Sequence, residues 1–158
     1  MILYVSVFAD SSAIVKLYAD EPGYDDVRAL AAVAIAQIAR VEVPAAFWRK
    51  HRLGELSVED TRALTADFEA DYYGTSDEVP RFVVVATTVD ILDDAARLCA
   101  THGLRAYDAV QLSTAMATRR ADPACSAMAA FDSSLRAAAS AEGLEPLPAS
   151  NTYGLGHF

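Results

Sequence analysis

Cysteine is scarce in this chain. Cys99 and Cys125 are the only two among 158 residues, and no CxxC pair exists. Two cysteines cannot build a disulfide framework, so the expectation is a reduced, cytoplasmic setting. Long apolar runs are missing too: none approaches the roughly 20 residues that span a bilayer, so no membrane role is expected. The apolar start "MILYVSVFAD" has neither a basic leader nor a small-residue cleavage site and ends in an acid, so it reads as a strand rather than a signal peptide. Positive charge is in deficit, with 13 Lys+Arg against 22 Asp+Glu and a net charge of −9. Such a balance argues against gripping a nucleic-acid backbone by charge alone. That exclusion lifts only if some of the acids hold metal cations, because the ion then supplies the local positive charge.

What is present is helix-forming material. The hydrophobic fraction is 53%, and alanine alone fills 32 positions, which favours helix and close helix packing. The length suits one domain over residues 1–148, followed by a tail at 149–158. Apolar, β-branched runs predict strands at 2–9, 33–37, 82–86, 125–131 and, at an edge because of Pro146 and Pro148, 144–147. Helical spacing and stop signals predict helices at 13–19, 25–30, from Glu42 to 52 with Pro44 in the first turn, 57–73, 88–102, 104–119 and 133–142. Ser11 or Ser12 is the expected cap of the first helix and Ser57 that of the fourth. Strands alternating with helices imply a central, mostly parallel sheet of four to five strands between helical layers, an α/β fold.

Four acids stand where acids are costly. Asp10 and Asp132 each follow a strand, where an open parallel sheet binds its ligands. Glu42 in "IARVEVPAAFW" and Asp108 in "LRAYDAVQLSTA" sit among apolar neighbours near helix starts. Taken singly, each has an ordinary explanation: Asp10 or Asp132 as a helix cap, Glu42 as a partner of Arg40 or Arg49, Asp108 as a first-turn acid. Buried together they would repel one another, and a divalent cation with oxygen ligands, Mg²⁺ or Mn²⁺, would relieve that.

These stretches, in order, resemble a known family. "FADSSAIVKLYADEPG", "ARVEVPAAFWRKHRLGELS", "LRAYDAVQLSTAMA" and "AAFDSSLRAAASAEGLEPL" are similar to the four blocks of PIN domains, and most of all to those of VapC-type toxins of bacterial toxin–antitoxin pairs. The resemblance implies a PIN-like three-layer α/β/α fold and a Mg²⁺- or Mn²⁺-dependent ribonuclease. It implies Asp10, Glu42, Asp108 and Asp132 as metal-holding and catalytic acids, with the Ser12 hydroxyl orienting an acid or a bound water. The Thr or Ser that the family often has two positions before the fourth acid is Ala130 here. Partners implied are an RNA substrate, a VapB-like antitoxin and a second copy of the chain. The antitoxin would lay a helix on apolar grooves, with Leu17, Tyr18, Phe47 and Trp48 as candidate lining.

The residue types suit that chemistry. His51, His102 and His157 are scattered, Cys99 fits a helical apolar pattern, and Ser11 and Ser12 have no histidine partner at a readable spacing. Arg49 and Arg52, in the basic cluster of Arg40, Arg49, Lys50, His51 and Arg52, and Arg105, which with Arg119 and Arg120 flanks the third block, are candidates for tracking phosphates. Two rival readings remain open: a PIN scaffold that only binds, and a phosphohydrolase with Asp10 as nucleophile. Ser12 counts against the second, which expects an acid two residues after the first. A phosphoacceptor receiver domain lacks its acidic pair and its late lysine.

Overall fold

The computed structural model of the chain describes residues 5–150. Val7–Ala9 forms the central strand β1, and Val33–Ala36 (β2), Val83–Val85 (β3), Ala127–Ala129 (β4) and Glu145–Leu147 (β5) complete a sheet of order β3-β2-β1-β4-β5. All four pairings are parallel, so the sheet is wholly rather than mostly parallel. The chain runs from β1 outward through β2 to β3, then returns to place β4 on the other side of β1. The crevice at the carboxyl ends of β1 and β4 is therefore the topological switch point, where sheets of this kind bind ligands.

Seven helices cover the two faces: α1 (Ser11–Tyr18), α2 (Tyr24–Arg28), α3 (Ala39–Arg52), α4 (Val58–Tyr73), α5 (Val89–His102), α6 (Ala106–Ala121) and α7 (Ser133–Ala141), counted among the described residues. Strand residues alternate between faces. Phe8, Ala34, Ala36 and Met128 point to a core shared with Leu98, Leu112 and Leu135 of α5, α6 and α7. Val7, Ala9, Ile35 and Ala129 point to the other, shared with Ile14, Val43, Phe47 and Phe68 of α1, α3 and α4. Strands buried on both faces explain the continuous apolar runs in the sequence.

Several expected boundaries shift. The first strand, expected over 2–9, is Val7–Ala9, and the expected residues 2–4 lie outside the described residues. The first helix starts at Ser11 because Asp10 itself is the cap, its carboxylate accepting from Ala13 N at 2.8 Å. Helix α3 starts at Ala39, not near Glu42, because Arg40 N and Val41 N already bond to Gln37 O and Ile38 O. Pro44 thus lies one turn deeper than expected. Ser57 caps α4 as expected, accepting from Asp60 N at 2.9 Å. Phe47, a candidate groove residue, is wholly buried, and Tyr18 packs edge-on against Phe47 and Phe68.

Leu112 anchors α6 to the sheet from full burial. We expect Leu112→Ala to lower the free energy of unfolding by about 2–5 kcal/mol, through lost transfer energy and the cavity left behind. Urea denaturation at fixed slope measures this.

Candidate active site

The two layers meet at the switch point in a pocket of about 550 Å³. Asp10, Glu42, Asp108 and Asp132 all line it, together with Ser12, Arg49, Arg52 and Arg105. Each acid arrives on a different helix start. Asp10 and Asp132 are the N-caps of α1 and α7, while Glu42 and Asp108 occupy the first turns of α3 and α6. The positive ends of four helices therefore face one pocket, which favours anionic side chains there.

Asp10 is 4% exposed. Its Oδ1 accepts from Ser12 Oγ at 2.8 Å and from Ala13 N at 2.8 Å, and its Oδ2 lies 3.0 Å from the same hydroxyl. Burial nevertheless pushes its carboxyl up to about 7, with repulsion from Asp108 and Glu42 added and the two hydrogen bonds opposing. Burial also raises Glu42, against donation from Gln111 and Ser11 and with repulsion from Asp108. Asp108 is raised by burial despite Arg105, whose Nε lies 3.1 Å from Oδ2, and is further raised by Asp132. Asp132 accepts from Leu135 N at 2.9 Å. Ala130 offers no hydroxyl to it, and its carbonyl is taken by Arg136.

These carboxylates have turned to donors of their own chain. Among the described residues, no three acid, histidine or cysteine side chains close into a preformed ion cage. The donor set still fits a hard divalent cation: four carboxylates, all oxygen, mutually repelling and held in part out of water. Asp10, Glu42, Asp108 and Asp132 are the residues that would hold such an ion.

The basic cluster separates. Arg49 and Arg52 point into the pocket and have no ion-pair partner among the described residues. Lys50 is held between Glu21 and Glu55 at 2.6 and 3.1 Å, and His51 Nδ1 is 2.9 Å from Leu56 O. Arg40, one of the two ordinary partners the sequence offers Glu42, pairs with Glu69. Arg119 bonds Glu142 O and Arg120 lines a separate hollow, so neither joins the acids. His102 is bound to Glu142 at 2.8 Å, away from this pocket.

Gln111 and Tyr107 stand out by nothing in the sequence, and Ser11 stands out there only as a helix cap. Gln111 and Ser11 both hydrogen-bond Glu42, and Tyr107 is 65% exposed beside Asp108. Gln111 lies three residues after Asp108, on the same helix face, and that spacing is the clue that could have found it.

A family model for the PIN domain matches residues 7–141, a span that contains all four acids. No curated protein matches the chain.

The raised Asp10 has a measurable sign. Its ordinary value is 3.8 and its folded value about 7. Across that window the folded protein holds a proton that the unfolded chain has released, so stability of the metal-free protein falls as pH rises. Asp10→Asn keeps an oxygen to cap Ala13 N and removes the charge. We expect it to melt at least about 3 °C above wild type at pH 8 in EDTA and to weaken the pH dependence between 4 and 7. Circular-dichroism melts across that range check both.

Proposed function

The chain belongs to the PIN domain family, whose members are generally nucleases that use divalent metal ions, and from that premise we propose that it is a Mg²⁺- or Mn²⁺-dependent endoribonuclease acting as a VapC-type toxin. One observation carries the reading: four acids from four helix starts line a single pocket, and the most buried of them is pushed up to about 7. Carboxylates crowded like this are suited to a cation rather than to one another.

The reaction is hydrolysis of a phosphodiester. Water adds to phosphorus, one P–O ester bond breaks, and a phosphate monoester and a hydroxyl result. Bound at the acids, a divalent ion supplies positive charge to the phosphate and acidifies water. The chain contributes the rest. Asp10 and Asp108 hold the ion, Glu42 and Asp132 complete its surroundings, and the Ser12 hydroxyl fixes the Asp10 carboxylate. Arg49, Arg52 and Arg105 receive flanking phosphates. Tyr107 offers a face on which an unpaired base can stack. A protein nucleophile is not needed: His51 and His102 are engaged elsewhere and neither cysteine lines the pocket.

As a toxin the protein acts in the cytoplasm, as a homodimer, and is silenced by a VapB-like antitoxin. Exposed Leu53 and Tyr107 make an apolar rim beside the acids, suited to a helix that inserts an Arg or Lys among the carboxylates.

Purified protein should cleave single-stranded RNA with Mg²⁺ or Mn²⁺ and not in EDTA, and Asp10→Asn or Asp108→Asn should lose at least about 100-fold in rate. Arg49→Gln with Arg52→Gln should raise KM and flatten its salt dependence while leaving kcat nearly intact. Induction in a bacterial host, with and without the neighbouring reading frame, tests the toxin role. A harmless wild type, together with an intact RNA panel in both metals, sinks the reading in favour of a scaffold that only binds.

A further inference from the structure

Glu42 differs from the other pocket acids in how it is held. Ser11 Oγ donates to its Oε1 at 3.0 Å, and Gln111 Nε2 donates to the same oxygen at 2.8 Å. Gln111 Nε2 also donates to Ser11 Oγ at 2.8 Å, which closes a triangle. Its three corners come from α1, α3 and α6, and so from both helical layers, across the carboxyl edge of the sheet. Gln111 is 2% exposed, and toward an ionised Glu42, which can only accept, its amide must turn the nitrogen. The carbonyl oxygen of Gln111 is left buried with no hydrogen-bond partner among the described residues. A side chain serving only to fill space would be apolar here, because an orphaned buried carbonyl destabilises the fold. Among the described residues no group bonds to Oε2 of Glu42, the oxygen that the triangle leaves over.

We propose that Gln111 is a positioning residue: with Ser11 it locks Oε1 of Glu42 and so commits Oε2 to the divalent ion or to the water beside it. The inference rests on the nuclease reading, and it adds a role that none of the four acids can fill. A carboxylate bound through one fixed oxygen has lost its rotational freedom before the ion arrives. Partners of this kind, one bond removed from the ion, typically change metal affinity or activity about 10–100-fold.

The test compares wild type, Gln111→Met, Ser11→Ala and the double variant. Mn²⁺ affinity is read by electron paramagnetic resonance of the free ion, and kcat and KM are read on a fluorescent RNA oligonucleotide. Melting in EDTA reports folding. Expected for Gln111→Met is a Mn²⁺ Kd raised about 10–100-fold and a kcat lowered to match, with KM for RNA within about twofold and the fold intact. Ser11→Ala should move both in the same direction, and the double variant should lose less than the product of the singles, because both donors serve one oxygen. Gln111→Met with wild-type Mn²⁺ affinity and kcat overturns the inference. Should that variant fail to fold, Ser11→Ala with wild-type affinity overturns it equally. A wild type that neither binds Mn²⁺ nor cleaves RNA brings down the nuclease reading and this inference together; one that does both leaves only the inference exposed to the variants.

Discussion

Carboxylates repel, and at the carboxyl edge of β1 and β4 four of them line one pocket, the most central of them 4% exposed. Everything around that pocket answers to the resulting excess of negative charge. The N-termini of α1, α3, α6 and α7 meet there, turning the positive ends of their dipoles toward the acids. Each acid also has its own donors: Ser12 and Ala13 N for Asp10, Ser11 and Gln111 for Glu42, Arg105 for Asp108, Leu135 N for Asp132. Burial outweighs these donors, and Asp10, Glu42 and Asp108 all remain raised. A pocket left short of positive charge in this way is poised for a cation.

The α/β alternation was legible because parallel strands covered on both faces must be apolar throughout, and helices between them must carry a periodic face. Of the sheet's order only the edge position of the last strand was legible, from Pro146 and Pro148. Helix starts were less legible. Serine after Asp10 looks like a cap, yet Asp10 is the last extended residue before the helix, so its carboxylate accepts from Ala13 N. Pro44 suggested a helix beginning near Glu42, but capping by Gln37 and Ile38 carbonyls lets α3 begin earlier and carry the proline inside.

The candidate acids were legible as four separate anomalies, whereas their company was not. "RKHR" at 49–52 reads as one basic patch, but a helix turns about 100° per residue and deals those side chains to different neighbours. Arg49 and Arg52, three apart, share the pocket face, while Lys50 goes to Glu21 and Glu55 and His51 to a carbonyl. Gln111 was invisible for the opposite reason. It has no charge, its one local clue is its spacing from Asp108, and its hydrogen-bond partners Ser11 and Glu42 are 100 and 69 positions away.

The net charge of −9 looks at first like a bar to any polyanion. It weakens once charge is counted where a substrate would meet it. The pocket wall carries six carboxylates (Asp10, Glu21, Glu42, Glu55, Asp108 and Asp132) against four cations (Arg49, Lys50, Arg52 and Arg105), a formal deficit of two. Glu21 and Glu55 share the single charge of Lys50, and the unpaired arginines sit toward the α3 end. One divalent ion among those acids would bring the wall to neutrality and leave the arginines as its outermost charge. The remaining surface acids act at a distance and are screened within about 10 Å at ordinary salt. The formal charge of the chain therefore does not by itself bar a polyanion from this pocket.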